Sequence, residues 1–518
     1  MKKPKLIHYH DSRHFLLYRF DPPMSLHQLR QPVDELLGTP VDTLSYGLGM
    51  GQTFLYDTKV GTKFGENAIE HNSGLVWWRA AENLKRALDS GFDPLKIIVD
   101  RAHEKGIQVL GSLRINDAGA PEGSNYNVGR LKYERPDIMI GGEDPENPYV
   151  ATCLDFARPE VRQERLAVIE EVCDRYGADG IEIDQYIRVF FKASEIAQHT
   201  ALLTDWIREV RKLLDRLGGK RGERLCLAVR VHPEEEANLS VGMDVKAWLS
   251  EKLVDLVIPY KLGSVVFDTC PSFKSLEEMA HQAGAWIYPP IGEVFPYDDR
   301  YHLPTIEMYR AAATNFRAAG ADGLYLANLP WPRTDSEYGV LRELSDPDIY
   351  ARKSKHYAVA QEEAKPDPYA PQRDLPRTLT EGEAVQLPVF VGDALDAARK
   401  DGELQQTTLG VRIVGACPED RYSFRLNDSE LPQEDAKTST FYGGIVAYFP
   451  VKVGMPQRIG THYWFEFDLP IALLHKGENS VEITMEQHFK PLTADRVLQS
   501  VEIRIEYKEP PVPFEGQM

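Results

Sequence analysis

Two acidic residues, Glu182 and Asp184, stand in the apolar run of the stretch "GADGIEIDQYIR" (177–188). A charge without a partner is expensive to bury, so two carboxylates in such a strand need either partners or a chemical task. Side chains two residues apart lie on the same face of a strand. We therefore expect Glu182 and Asp184 to point the same way, where a pair of carboxyl groups can transfer protons or attack an electrophilic carbon.

The elements that must position these acids follow from a repeated pattern between residue 14 and about residue 330, in which short apolar runs alternate with amphipathic helical stretches. This alternation predicts parallel strands joined by helices. The predicted strands are 14–20, 41–49, 107–117, 179–186, 225–231, 255–262, 286–294 and 322–329. Eight such units favour a (β/α)8 TIM barrel. A doubly wound open sheet is the alternative, and the lack of a GxGxxG motif after the first strand weakens it.

Polar side chains collect where the predicted strands end, and in this barrel all carboxyl ends of the strands open into one mouth. The candidate catalytic residues there are Asp184, Glu293 and Glu182. The candidate substrate-binding residues at or beside the same ends are Arg114, Asn116, Tyr186, Arg230, His232, Tyr260, Asn328, Trp331 and Trp78. The amino-terminal halves of the strands are mostly apolar, and this asymmetry is typical of a catalytic mouth.

Each candidate also has an ordinary structural interpretation. Glu182 suits a buried salt bridge with Arg230 or Arg114. Asp184 suits a helix N-cap, and Glu293 suits a cap of its own loop.

Aromatic side chains fall in or beside the predicted loops on the side of the mouth, Trp77, Trp78 and Trp331 among them. Flat aromatic faces pack well on the C–H faces of sugar rings, although any single aromatic is more often part of the packing. Two carboxyl groups in such a mouth can cleave a glycosidic bond, because one protonates the leaving oxygen while the other attacks the anomeric carbon or activates water. Composition and spacing therefore indicate a carbohydrate substrate.

The overall composition excludes several classes of partner. The 518 residues carry a net charge of −19, which disfavours nucleic acid, and no window approaches the apolar length of a transmembrane helix. The five cysteines form no CxxC pair, and the histidines of "HYH" (8–10) lack a third metal ligand nearby in sequence, so we expect neither a metal site nor a cofactor. No signal peptide is evident, which predicts a cytoplasmic protein, or a secreted or periplasmic one if the amino terminus has been trimmed.

The chain changes character after the predicted barrel, which we assign to residues 1–351. Residues 352–376 are polar and contain several prolines, and they are interpreted as a linker. Residues 377–510 then alternate apolar and polar positions between turn signals. This predicts a small antiparallel β-sandwich.

Two segments resemble the glycoside hydrolase-like barrel family often called GHL10 or DUF187. "IIVDRAHEKGIQVLGSLRIN" (97–116) is similar to its helix-then-strand segment, and "LDFARPEVRQERLAVIEEVCDRYGADGIEIDQY" (154–186) is similar to its segment with PEVR and DGI-x-x-D. The resemblance implies that Asn116, Asp184 and Tyr186 are site residues.

The chain departs from that family's pattern at three places. Glu182 stands where the family usually has His or a related residue, Gln185 stands where it has Asp, and Ser112–Leu113 stands where it has an aromatic residue. The segment "FDLPIALLHKGENSVEI" in the tail resembles the galactose-binding-like β-sandwiches that are appended to many glycosidases.

The first functional hypothesis is a glycoside hydrolase with Asp184 as general acid/base and Glu293 as nucleophile; the reverse assignment stays open. The second is a carbohydrate-binding protein with a degenerate, non-catalytic barrel. The third is a lyase or isomerase acting on sugar acids, because Arg114, Arg230 and Lys261 could bind a carboxylate or sulfate. The sugar, the linkage and the oligomeric state do not follow from the sequence.

Overall fold

A computed structural model describes the fold. The described residues are 2–67, 75–119, 126–142, 149–185, 189–260, 267–292, 295–297, 300–302, 304–327, 329, 333–359, 374–442 and 461–508. The strands are β1 (Leu6–His10), β2 (Thr43–Gly47), β3 (Gly49–Met50), β4 (Thr53–Phe54), β5 (Thr62–Lys63), β6 (Gln108–Arg114), β7 (Gly180–Asp184), β8 (Cys226–Val231), β9 (Leu256–Pro259), β10 (Trp286–Ile287), β11 (Pro290–Ile291), β12 (Phe295–Tyr297), β13 (Arg300–His302), β14 (Leu324–Ala327), β15 (Lys355–Ala358), β16 (Arg377–Thr378), β17 (Ala384–Val391), β18 (Leu404–Val414), β19 (Arg421–Leu426), β20 (Ser429–Leu431), β21 (Lys437–Tyr442), β22 (Thr461–Asp468), β23 (Gly477–Gln487) and β24 (Val497–Tyr507). The α-helices are α1 (Leu26–Asp34), α2 (Leu75–Asp89), α3 (Pro94–Glu104), α4 (Arg130–Glu134), α5 (Pro159–Glu170), α6 (Ile196–Arg221), α7 (Glu235–Leu239), α8 (Val245–Ser250), α9 (Lys274–Ala283), α10 (Ile306–Ala318), α11 (Asp335–Glu343), α12 (Pro347–Tyr350) and α13 (Leu395–Lys400).

The chain divides into two compact units. The first unit comprises Met1–Gly263, Phe273–Pro290 and Ala321–Thr334, and the second comprises Ser264–Ser272, Ile291–Gly320 and Asp335–Met518. Part of the stretch interpreted as a linker, Lys355–Ala358, is strand β15, which pairs antiparallel with β24. It forms a strand because Tyr357 and Ala358 are buried in the second unit, which the polar composition of the surrounding stretch conceals.

A nine-stranded sheet forms the centre of the first unit, in the order β10-β9-β8-β7-β6-β2-β1-β14-β11. The pairs from β10 to β14 are parallel. The sequence predicts a closed barrel, whereas this hydrogen-bonded order is open between β10 and β11. These two edge strands are separated along the chain only by Tyr288 and Pro289. The interruption has a physical cause, since neither Pro289 nor Pro290 has a backbone N–H to donate to a neighbouring strand.

The sheet curls strongly, because side chains from distant strands meet on one face. The hydroxyl of Tyr325 on β14 lies 3.1 Å from both carboxyl oxygens of Glu182 on β7. In a flat sheet these two strands, four positions apart, would be separated by about 19 Å. The apolar side chains of this concave face form one buried cluster: Ile7, Tyr9, Leu110, Cys226, Ala228, Leu256, Ile258, Tyr288 and Tyr325.

The first strand lies earlier than predicted. The sequence places it at 14–20, but the observed β1 is Leu6–His10, and Arg13–Leu17 form a short helical turn. The apolar pattern misses β1 because His8 and His10 interrupt it, although both are buried. The other seven predicted strands contain β2, β6, β7, β8, β9, β10 and β14, as the apolar runs indicate.

Helix boundaries follow ordinary capping chemistry. The hydroxyl of Ser25 accepts a hydrogen bond from the backbone N–H of Gln28, and the side chain of Gln28 accepts one from the backbone N–H of Ser25, so α1 begins with a capping box. Gly222 caps the carboxyl end of helix α6, and its φ of +73° is the left-handed conformation that favours glycine after a helix.

The second unit contains antiparallel sheets. One has the order β15-β24-β18-β22-β21, with β16 also paired to β24, and the other has the order β17-β23-β19-β20. Burial alternates along β17, as the period of a strand with one covered face requires. Both sheets contribute to one hydrophobic cluster, which includes Leu387, Val411, Phe465, Val481 and Val501.

Candidate active site

Glu182 is fully buried, and donors from four strands surround it. Its Oε1 accepts hydrogen bonds from Arg230 Nε at 2.7 Å and from Ser112 Oγ at 2.9 Å, and its Oε2 accepts one from Ser45 Oγ at 2.7 Å. The Tyr325 hydroxyl donates to both oxygens. The carboxylate therefore has its hydrogen-bonding capacity filled by side chains of β2, β6, β8 and β14, which answers why a buried strand can carry it.

Arg230 links the two acids of β7. Its guanidinium forms an ion pair with Glu182 at 2.6 Å and a longer one, from Nη1, with Asp184 Oδ1 at 3.4 Å. The rings of Tyr9 and Tyr260 lie 4.2 and 5.3 Å from the guanidinium carbon. Burial disfavours the charged guanidinium, but the carboxylates of Asp184 and Glu182 outweigh this effect and raise the pKa of Arg230 well above its usual value.

Asp184 is the last residue of β7, and its carboxyl group lies between two arginines. Arg230 Nη1 approaches Oδ1 at 3.4 Å, and Arg114 Nε approaches Oδ2 at 3.7 Å. The side chain is only 2% exposed. Both separations are longer than a direct charge-assisted hydrogen bond, so the two oxygens keep capacity for a further donor or an electrophile.

Asp11 belongs to this group of charges, and the sequence reasoning missed it because β1 was placed too late. Its Oδ2 accepts a hydrogen bond from Arg114 Nη2 at 3.2 Å and lies 3.2 Å from Nδ1 of His14. Its Oδ1 accepts hydrogen bonds from the backbone N–H groups of Arg13 and His14. Burial alone would raise the pKa of Asp11, but the hydrogen bond with His14 and the charge of Arg114 lower it overall. Arg114 thus bridges the carboxylates of Asp11 and Asp184.

The chain is similar to curated glycosyl hydrolases over part of its length. It is 25% identical over 147 residues to the glycosyl hydrolase DigH of Escherichia coli strain K12, and the same figures hold for DigH of Shigella flexneri. The match covers 27% of this chain and spans only 31% of the length of those relatives. No family model matches the chain, so the resemblance to the GHL10 or DUF187 family stays a prediction.

Solved structures to which the chain shows a low similarity include several glycosidases. The α-galactosidase of Lactobacillus brevis is 10% identical with a TM-score of 0.40, and the alignment covers 100% of this chain and 56% of that one. The galactosidase domain of the α-galactosidase–sucrose kinase AgaSK is 14% identical with a TM-score of 0.40, covering 90% and 55%. A GH18 chitinase from Pseudoalteromonas aurantia is 10% identical with a TM-score of 0.34, covering 66% and 99%.

Asn116, a predicted substrate-binding residue, contacts the backbone with its whole side-chain amide. Its Nδ2 donates to the carbonyl oxygens of Leu154, at 3.0 Å, and Val189. Its Oδ1 accepts hydrogen bonds from the backbone N–H groups of Leu154 and Asp117. These hydrogen bonds connect the loop after β6 to the loop after β7. The observed contacts of Asn116 therefore hold these two loops in place at the carboxyl ends of the strands.

His232 and Tyr260 lie at the ends of β8 and β9, as expected. His232 is fully buried; its backbone N–H donates to Asn238 Oδ1, and its Nδ1 accepts a hydrogen bond from the backbone N–H of Glu234. Tyr260 is half-buried, and its ring lies over the guanidinium of Arg230. The Tyr260 ring therefore contacts the charged group around Asp184 through Arg230.

The sequence predicts that Trp78 lies in a loop, but the structure places it in helix α2. The helix forms because the apolar residues at its start continue with helical spacing into Ala80, Ala81 and Leu84, which are buried. Its neighbour Trp77 packs against other aromatic rings, with Phe64 stacked at 5.9 Å.

The remaining predicted site residues lie outside the described part of the chain. They are Tyr186, Glu293, Asn328 and Trp331. Within the described ranges, no group of three His, Cys, Asp or Glu side chains could hold a metal ion. Within the same ranges, no helix is long and apolar enough to cross a membrane.

Proposed function

We propose that this protein is a glycoside hydrolase in which Asp184 acts as a carboxylate on the anomeric carbon of a sugar. The observation that carries the proposal is the position of Asp184, which ends a central parallel strand with its two oxygens facing Arg114 and Arg230. The local similarity to a glycosyl hydrolase includes no more than about a quarter of the chain, and it supports the reaction class without identifying a substrate.

The surroundings of Asp184 favour one of the two possible roles. A general acid must hold a proton before it can give it to the leaving oxygen, whereas a nucleophile must act as an anion. Arg114 and Arg230 lie 3.7 and 3.4 Å from the two oxygens of Asp184, where they can hold its carboxylate in a fixed orientation for attack. We therefore propose Asp184 as the nucleophile and Glu293 as the acid/base, which reverses the first assignment made from the sequence.

The other polar residues then have supporting roles in the proposal. Arg230 and Arg114 orient Asp184, and Glu182 fixes Arg230 from below with its filled set of hydrogen bonds. Glu182 thus acts through Arg230 as a positioning residue. Hydroxyl groups of a bound carbohydrate would take the hydrogen-bonding capacity that remains on Asp184.

We also propose that the curled sheet is a (β/α)8 barrel whose seventh strand is interrupted at its prolines. The backbone N–H of Tyr288 donates to the carbonyl of Val257 on β9, and the N–H of Tyr325 on β14 donates to the carbonyl of Pro289, so the segment that joins β10 to β11 bonds to a strand on each side. The two antiparallel sheets of the second unit would form the appended galactose-binding-like β-sandwich.

Hydrolysis of a panel of oligosaccharides and aryl glycosides tests the function. We expect the wild type to cleave at least one substrate, and Asp184→Asn to reduce kcat at least a thousandfold because the amide cannot attack as an anion. Asp174→Asn is the matched control, since Asp174 lies on the surface of the first unit, where it forms an exposed ion pair with Lys220.

Two results would contradict the proposal. One is full activity in Asp184→Asn. The other is tight binding of a glycan without any cleavage of the panel, which would favour the non-catalytic carbohydrate-binding hypothesis. A product with an unsaturated uronate chromophore would instead favour the lyase hypothesis.

A further inference from the structure

A buried guanidinium group with two unsatisfied nitrogen atoms lies in the loop after β1. Arg13 is only 6% exposed, and its Nη2 hydrogen-bonds to Nε2 of His14 at 2.6 Å. Within the described residues, the Nε and Nη1 atoms of Arg13 have no hydrogen-bond partner, although its charge acts on the carboxylate of Asp11. Buried N–H groups without acceptors are costly to keep, so they call for an acceptor that a ligand could supply.

Two aromatic rings line the same place. The guanidinium carbon of Arg13 lies 4.9 Å from the ring centre of Trp77 and 5.6 Å from that of Tyr18, and both rings are half-buried rather than covered. The ring of His14 lies 5.3 Å from the ring of Tyr18. The side chain of His14 is 45% exposed, so rotation of this one residue would open Nη2 of Arg13 to an entering group.

The position of Arg13 connects it with the site of the proposed reaction. Its backbone N–H donates to Asp11 Oδ1, and Asp11 Oδ2 in turn accepts a hydrogen bond from Arg114, which faces Asp184. The loop follows the carboxyl end of a barrel-like strand, which is where substrate-contacting loops of such sheets lie.

We propose that Arg13, with His14, Tyr18 and Trp77, forms a subsite for an acidic sugar that carries a carboxylate or a sulfate group. A guanidinium group donates parallel hydrogen bonds to a planar or tetrahedral oxyanion, and the rings of Tyr18 and Trp77 hold this guanidinium in place by cation–π contact. The inference rests on the proposed function for the identity of the ligand as a carbohydrate. The acidic overall charge of the chain is compatible with it, because a local arginine cluster sets the potential that a ligand meets.

Binding measurements on the full-length chain test the subsite without requiring hydrolysis. Trigalacturonate and a 6-sulfated chitotriose are titrated calorimetrically into the Asp184→Asn variant, with neutral galactotriose and chitotriose as counterparts. We expect one acidic probe to bind more tightly than its neutral counterpart, and the probe that binds distinguishes carboxylate from sulfate. Adding Arg13→Gln should weaken that binding about tenfold to a hundredfold, which corresponds to the loss of a charge-assisted hydrogen bond.

Two further variants make the result specific. Arg13→Lys keeps the positive charge but lacks the planar guanidinium group with its paired N–H donors. We expect an intermediate affinity for the acidic probe and a native melting curve. Arg86→Gln removes a half-exposed arginine of α2 that forms an ion pair with Glu82, and we expect wild-type binding.

The proposal is overturned if no acidic probe binds more tightly than its neutral counterpart, or if Arg13→Gln and Arg13→Lys bind the acidic probe as tightly as the parent. These outcomes are separate from the hydrolysis test. Cleavage of neutral glycans with no acidic preference would refute the subsite alone, and acidic binding without cleavage of any glycan would refute the hydrolase alone.

Discussion

Replacing Glu182 with Gln tests the charged group beneath Asp184. The change keeps the shape of the side chain but removes the anion that lies 2.6 Å from Arg230. Arg230 is then a buried cation whose other ion pair among the described residues, with Asp184, is 3.4 Å long. Removing one partner of a buried pair typically costs about 3–5 kcal/mol, and the three hydroxyl groups around Glu182 can rotate to satisfy the amide, so we expect about 3 kcal/mol.

Urea unfolding followed by circular dichroism and tryptophan fluorescence measures this cost in the first unit's transition. The chain has two compact units, so the transitions are fitted separately where they do not coincide. A double-mutant cycle with Arg230→Met isolates the interaction, because Glu182→Gln should cost much less once the cation is gone. Glu209→Gln on the exposed face of α6 is the control, with an expected change below about 0.5 kcal/mol. An equal cost of Glu182→Gln with and without Arg230 would refute this reasoning.

Three further predictions concern other buried polar groups. Despite its burial, Glu502 has its pKa lowered from 4.5 to about 2 by His356, whose Nε2 is 2.7 Å away. The ionised Glu502 should therefore stabilise the folded chain by about 3 kcal/mol above pH 4.5, and this contribution should be lost as the pH falls towards 2. Urea unfolding of Glu502→Gln should therefore match the wild type near pH 2 but not at pH 7, and a constant difference would contradict the assignment. Burial lowers the pKa of His10, so the unfolded chain binds a proton below about pH 6.5 that the folded chain does not, and stability should fall by about 1.4 kcal/mol between pH 7.5 and 5.5 for this residue. His10→Phe, which can keep the stacking on Tyr46, should make the melting temperature depend less on pH between 7.5 and 5.5. An unchanged pH dependence of the melting temperature would contradict this role of His10. Asn116→Ala leaves buried backbone groups of two loops unpaired and should cost about 2–4 kcal/mol in urea unfolding, whereas a change below about 0.5 kcal/mol would mean that water replaces the amide.

The sequence predicted those parts of the site that depend on local periodicity. Glu182 and Asp184 share the concave face because side chains two apart in a strand do so wherever the strand lies. Seven strands were found because their apolar runs are short and lie between helical patterns. Arg114 and Arg230 followed from the same rule, applied to β6 and β8.

The missed residues depend on tertiary contacts that no local pattern reveals. Strand β1 carries two buried histidines, one of which, His8, hydrogen-bonds to Arg333 more than 300 positions away in the sequence, so its apolar pattern is broken. Placing the first strand too late removed Asp11 and Arg13 from the candidates. The sequence also could not distinguish Trp77 from Trp78, since only the rotation of α2 decides which ring meets Phe64.

The most direct measurement of the central claim is chemical rescue of Asp184→Gly by azide on an aryl glycoside of the sugar that the wild type cleaves. If Asp184 is the nucleophile, azide enters the space it leaves, restores leaving-group release and gives a glycosyl azide whose anomeric configuration is opposite to that of the substrate. A glycosyl azide of retained configuration would show that Asp184 is the acid/base instead, and wild-type turnover without azide would show that its carboxylate takes no part in the reaction.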